Sequence, residues 1–207
     1  LIEEIIHKRM GIKVIHNGVP WARAQASVEN GTSDGFITTP TKTRLQYSVR
    51  SNVDILSIPF QAFALKEGPY MKLLQKKPLT ELHGAIFCDV LGNGWAKTFY
   101  SSRNIEYKKV PTIENCLNMM IKGRTDIIIH ASPVTQLFIN ELSLGRQISM
   151  LPHYYPESPN FPLLLSKKSK YGEDFLTSFD KIVSAMKISG EFTGLLNQLT
   201  QKNISAF

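Results

Sequence analysis

One phrase occurs twice in this chain. From Pro20 to Ile37 a helix-like stretch ends at Asn30-Gly31-Thr32-Ser33-Asp34 and runs into Gly35-Phe36-Ile37. From Pro111 to Ile129 a second one ends at Lys122-Gly123-Arg124-Thr125-Asp126 and runs into Ile127-Ile128-Ile129. The glycines Gly31 and Gly123 stand 92 residues apart, and so do Asp34 and Asp126. Each copy starts at a proline, stops at a glycine and feeds an apolar strand. Two similar α/β lobes are the expectation, and a cleft between lobes is where small molecules bind.

The chain has 207 residues, 43% of them hydrophobic, enough for one large or two small cores. Its formal net charge is +7. The lysines are scattered rather than massed, and no motif that reads nucleic acid is present, so a solvated basic surface accounts for the charge. No apolar run approaches the length of a membrane helix. Cys88 falls on a predicted strand and Cys116 on a helix face. With no CxxC and no Cys/His metal spacing, they read as two small buried residues, with a disulfide in an oxidising compartment as the alternative.

Leu1–Met10 has a helical stripe ended by Gly11, and Ile12–Ile15 reads as a short strand. Pro20 suits the first turn of a helix over Trp21–Glu29. Phe36–Thr38 reads as a strand, Thr39–Arg44 as a polar loop or helix start, and Val53–Leu65 as extended. After a break at Lys66-Glu67-Gly68-Pro69 come a helix at Tyr70–Gln75, a strand at Ala85–Val90 and a tight turn at Gly92-Asn93-Gly94. A helix opens at Trp95, and Ile105–Val110 is a strand. Thr112 is a natural N-cap for a helix with Ile113, Cys116, Leu117, Met120 and Ile121 on one face. Ile127–Ile129 shows no alternation, as a strand covered on both faces does. A helix at Pro133–Leu142 follows, and the proline-rich Leu151–Pro162 reads as a crossing segment. Leu163–Leu165 is a strand, Phe175, Phe179, Ile182, Val183 and Met186 stripe a helix, and Phe192–Leu199 is the last helix. Alternating strands and helices predict parallel or mixed sheets.

In this order and spacing the chain resembles the bacterial family 3 extracellular solute-binding proteins. The resemblance is carried by Pro20-Trp21-Ala22-Arg23-Ala24, Val28-Glu29-Asn30-Gly31, Asp34-Gly35, Thr39 to Arg44 and Phe63-Ala64-Leu65-Lys66. Leu82–Gly84, Gly92-Asn93-Gly94, Gly123 to Asp126 and Ser189-Gly190-Glu191-Phe192 complete it. No single motif is specific; their order is. The resemblance implies a periplasmic-binding-protein-like type II fold. Each lobe would be a mostly parallel sheet with helices on both faces, joined to the other by two hinge strands. Lobe 1 is expected at 1–65 plus 161–207 and lobe 2, inserted, at 66–160. The family opens on a strand central to lobe 1 that this sequence lacks. A central strand cannot be dropped without exposing unpaired backbone, so a preceding strand is expected in the full protein.

The resemblance also implies site residues. Arg44, with Thr39 five residues earlier, corresponds to the family's clamp for a ligand carboxylate, a planar fork suited to two parallel hydrogen bonds; read alone, Arg44 is also an ordinary surface arginine. Asn93 and Gly94 offer backbone N–H groups at a helix start that can hold an anion. The same turn carries only a fragment of a dinucleotide fingerprint, since Lys97 stands where the third glycine belongs. Trp21 is either an aromatic wall of the ligand site or core, and Tyr154 and Tyr155 read as packing near a hinge. Amino-acid binders of the family place an Asp where Ala131 stands, to hold the ligand ammonium. Alanine offers no acceptor; His130 and Ser132 flank it, and Glu157 or Asp89 are the substitutes available.

No nucleophile elbow, zinc-protease motif or P-loop is present. The expectation is a periplasmic, monomeric, cofactor-free solute-binding protein without catalytic or metal residues, which does not bind nucleic acid. It would capture a small carboxylate-bearing solute, an amino acid or relative, by hinge closure for an ABC permease. A ligand-sensing module of a receptor kinase or cell-wall lyase is the alternative, and an enzyme on the same fold the third.

Overall fold

The computed structural model describes residues 1–155 and 158–204. Pro156, Glu157 and residues 205–207 lie outside the described residues, as do the side chains of His153, Tyr154 and residues 199–204. The chain divides into two compact units. One holds residues 1–19, 26–55 and those from 161 onward; the other holds 20–25 and 56–160. The elements are α1 (Trp21–Asn30), β1 (Gly35–Ile37), α2 (Lys42–Tyr47), β2 (Ser48–Ser57), β3 (Phe60–Leu65), α3 (Pro69–Leu74), β4 (Phe87–Val90) and α4 (Gly94–Ser101). They continue with β5 (Tyr107–Val110), α5 (Ile113–Ile121), β6 (Ile127–Ala131), α6 (Ser132–Glu141), β7 (Ile148–Tyr154), β8 (Asn160–Ser166), α7 (Glu173–Ile188) and α8 (Glu191–Ile204).

The first unit is built on a sheet in the order β1-β8-β2. β1 runs antiparallel to β8, with Phe36 opposite Leu164. Gly35 is required there: a Cβ would stand 2.6 Å from the Leu164 carbonyl oxygen. α7 covers this core with Leu176, Phe179, Val183 and Met186, spaced three and four residues apart. The buried face centres on Phe179 and Val183, with Phe175 and Ile182 only half-buried. The Asp180 carboxylate on α7 accepts from the backbone N–H of Asn52 at 2.8 Å and of Val53 at 3.4 Å.

The second unit carries a sheet in the order β5-β4-β6-β3-β7. β4 pairs in parallel with β5 and β6, and β3 runs antiparallel to both β6 and β7. The sheets are mixed within the expected α/β architecture, with antiparallel ladders in both units beside the parallel pairs of β4. Residues 56–65, expected with lobe 1, group with the second unit because β3 is a central strand of its sheet. Ile127, Ile128 and Ile129 are fully buried, as their unalternating run predicts. Thr112 caps α5 by accepting from Asn115 N at 3.2 Å, and Ile113, Cys116, Leu117 and Met120 pack on β4 and β6. Cys88 on β4 and Cys116 on α5 are disulfide-bonded, which replaces the expectation of two free buried thiols.

The two repeated aspartates do similar work. Asp34 accepts from the Ser169 hydroxyl at 2.7 Å, and Asp126 from Ile86 N at 2.8 Å. Two expectations fail. Ile12–Ile15 forms no strand: Gly11 takes φ +69° and Ile15 is 74% exposed, so no apolar face holds a strand there. Leu151–Pro162 is not simply a crossing segment, because β7 and β8 extend into it. Pro152 is accommodated because β7 is an edge strand.

Candidate functional site

In the first unit, β1 delivers the chain to Thr39-Pro40-Thr41. Thr41 caps α2, its hydroxyl accepting from Arg44 N at 3.3 Å. That short helix turns Arg44 back over the loop. Its guanidinium Nη1 donates to the Thr39 carbonyl at 2.9 Å and to Thr39 Oγ1 at 2.5 Å. Thr39 Oγ1 accepts in this bond, which leaves its O–H to donate. Arg44 is only 2% exposed, so it is not a surface arginine. Burial draws its pKa below the ordinary value, against the opposing effect of Tyr47. Burial conversely raises Tyr47.

In the second unit, β4 ends in the Gly92-Asn93-Gly94 turn. Gly92 adopts φ +82°, and a Cβ there would lie 2.5 Å from Gln25 Nε2. Its carbonyl accepts from Trp21 Nε1 at 3.1 Å and Gln25 Nε2 at 3.3 Å. Trp21 therefore packs on the core of this unit while its indole N–H holds the turn. The Asn93 side-chain oxygen caps α4 by accepting from Trp95 N at 3.2 Å and Ala96 N at 3.3 Å. Its Nδ2 donates to Asp89 Oδ1 at 2.9 Å. Gly94 is the first residue of α4.

Asp89 is the polar centre of this unit. It is fully buried, in a strand of which all four residues are buried. Oδ1 accepts from Asn93 and from Val90 N, and His130 Nε2 lies 3.9 Å from it. Asp89 Oδ2 is buried without a hydrogen-bond partner, while His130 lies against the Ala131 backbone and Tyr100 against that of Ile129. Burial pushes the Asp89 carboxyl up to about 7 and pulls the His130 imidazole down to about 4. Burial, reinforced by the Asp89 charge, puts Tyr100 well above its ordinary pKa. Aromatic rings surround the group: Phe60 and Trp95 at 4.2 Å between centroids, Trp95 and Phe99 at 4.3 Å, Phe60 and His130 at 5.5 Å.

Ala131 supplies only a methyl group at the start of α6. Ser132 N and Oγ donate to the Pro59 carbonyl at 2.9 and 3.1 Å. Thr39 and Arg44 are thus joined in one unit, and Asn93 and His130 converge on Asp89 in the other. From the sequence Asp89 reads only as a substitute acid, and Phe60, Trp95 and Phe99 carry no signal that sets them beside it. An acid inside the otherwise apolar Phe87–Val90 strand was the available signal. Among the described residues no group of three His, Cys, Asp or Glu could hold a metal, and no helix is long and apolar enough to cross a membrane.

The sequence matches no protein-family model and no curated protein. Solved structures do resemble it. An ancestral arginine-binding protein bound to arginine aligns with TM-score 0.76 at 16% identity, over 95% of this chain and 84% of that one. ArtJ, an arginine-, lysine-, histidine-binding protein from Geobacillus stearothermophilus, aligns at TM-score 0.73 and 15% identity, over 95% and 82%. The GluR0 ligand-binding core from Nostoc punctiforme, in complex with glutamate, aligns at 0.72 and 15%, over 95% and 87%. The chain has the periplasmic-binding-protein-like type II fold of these proteins.

Proposed function

We propose that this chain is a periplasmic, monomeric solute-binding protein that captures a small carboxylate-bearing solute for an ABC transporter. The observation that carries the reading is the buried Arg44 held on Thr39 at the start of α2. Arg44 offers the carboxylate a planar fork and Thr39 a hydroxyl donor. In the second unit we assign Trp21, Asn93, Gly94, His130 and Ser132 to contacts with the rest of the solute. Proteins of similar fold that bind amino acids support the solute class. The Cys88–Cys116 disulfide supports a compartment outside the reducing cytoplasm. Likeness to the GluR0 core favours a second reading, an extracytoplasmic sensor module using the same binding chemistry.

A thermal-shift screen against amino acids, dipeptides, organic acids and polyamines tests the reading. Solute at 100 times its Kd adds about 2.7 kcal/mol. Arg44→Lys keeps a charge but loses the fork, and Arg44→Ala loses both. Each should weaken a carboxylate solute by roughly 30-fold or more, since truncating one partner of a buried charge pair costs about 2–5 kcal/mol. Wild-type affinity in a folded Arg44→Lys protein would remove Arg44 from the site.

A further inference from the structure

A guanidinium carries five N–H donors in one plane and no acceptor, so a buried one is oriented by the oxygens it meets. Arg44 commits both hydrogens of Nη1 to a single residue, the Thr39 carbonyl and Thr39 Oγ1. Two bonds at one nitrogen anchor one corner of the plane and leave it able to tilt about the remaining side-chain torsions. Tyr47 is a second hold. It follows Arg44 by three residues on α2, the separation at which helical side chains are neighbours, and its phenol oxygen accepts a hydrogen bond from the guanidinium. The place of Tyr47 is fixed from outside the helix: its carbonyl accepts from Lys167 N at 2.9 Å, and the Gln46 carbonyl accepts from Lys167 Nζ at 2.9 Å. The Arg44 carbonyl in turn accepts from Ser48 Oγ at 2.7 Å. Burial raises the phenol's pKa, against the pull of Arg44 and with the push of Glu29, so Tyr47 meets the guanidinium as a neutral group. Thr39 and Tyr47 therefore orient the positive charge without cancelling it.

We propose that Tyr47 is a positioning residue for carboxylate capture: its hydroxyl and Thr39 hold the Arg44 plane from two sides, so the fork is aimed before the solute arrives. The role rests on the solute-binding reading above, and Tyr47 acts through Arg44 rather than by touching the solute. Ordering the guanidinium then belongs to folding and not to binding, which raises affinity without adding a contact. Without the hydroxyl, an N–H of a side chain only 2% exposed loses its acceptor and the plane is held at one corner.

Isothermal titration calorimetry of the whole protein tests this with succinate, L-glutamate and L-arginine, each as the free acid and with its carboxylates methylated to esters. Tyr47→Phe keeps the ring and removes only the hydroxyl. It should weaken whichever free acid the wild type binds by about tenfold, the scale of one hydrogen bond to a charged group, and leave the matching ester unchanged. A hydroxyl that merely supports the fold would weaken acid and ester by the same factor, and that result overturns the proposal. So does a free acid bound at wild-type affinity by Tyr47→Phe, with the solute-binding reading left standing if Arg44→Lys abolishes the same binding. Circular dichroism reports the folding of the variant, and loss of fold would make the hydroxyl structural and overturn the assignment as well. Wild-type protein that binds none of the probes counts against the solute-binding reading and removes the role of Tyr47 with it.

Discussion

Replacing both cysteines with alanine tests the placement of β4 against α5. The disulfide closes a segment of sequence separation 28 that contains the Gly92 turn, α4 and β5. In the chain-entropy treatment such a cross-link removes about 12 cal/mol/K from the unfolded ensemble, about 3.6 kcal/mol at 25 °C. For a chain of this length each kcal/mol moves Tm by roughly 2–4 °C, so Cys88→Ala/Cys116→Ala should melt roughly 7–14 °C below the wild type. Alanine is the right replacement because both positions are fully buried and serine would add unpaired hydroxyls. Reductant should lower the wild-type Tm toward that of the double variant and leave the variant unmoved. Equal Tm values for the two proteins, together with two titratable thiols in denatured wild type, would refute the pairing.

Gly92→Ala should cost roughly 1–2 kcal/mol, from the left-handed backbone at φ +82° and the collision with the Gln25 amide; an unchanged urea midpoint would remove the turn from its assigned conformation. The Asp89–His130 pair has a particular pH signature. The raised carboxyl makes the folded state bind an extra proton, so its contribution to stability falls as pH rises from about 4 toward 7. The lowered imidazole does the opposite, adding stability as pH rises from about 4 to 6.5. The two slopes oppose each other in the wild type. His130→Gln should therefore lose stability between pH 4 and 7, and Asp89→Asn should gain it between pH 4 and 6.5, as measured by thermal melts. Parallel profiles for wild type and both variants would show that the pair is not buried as described.

Features set by neighbouring residues were legible in the sequence. Thr112 and the stripe behind it gave α5, the unbroken Ile127–Ile129 gave a doubly covered strand, and the spacing of Thr39 and Arg44 placed them within one loop and turn. Features that depend on which strands meet were not. Ile12–Ile15 is apolar enough for a strand but pairs with no strand among the described residues. The prolines near residue 152 read as a break because edge and central strands look alike in one dimension. The disulfide required β4 to lie on α5, and the nearness of Asp89 to His130 required the parallel pairing of β4 with β6. Burial of Arg44 could not be read from residue type, since arginine is ordinarily exposed.

The position of the acid matters as much as its presence. A carboxylate at 131 would sit at the N-terminus of α6, where the helix dipole favours the ionised form. At 89 the acid lies inside an apolar strand, receives two N–H donors and is still pushed up to about 7. Desolvation outweighs those donors, so the fold carries Asp89 neutral below about pH 7, among aromatic rings where a permanent charge would be destabilising.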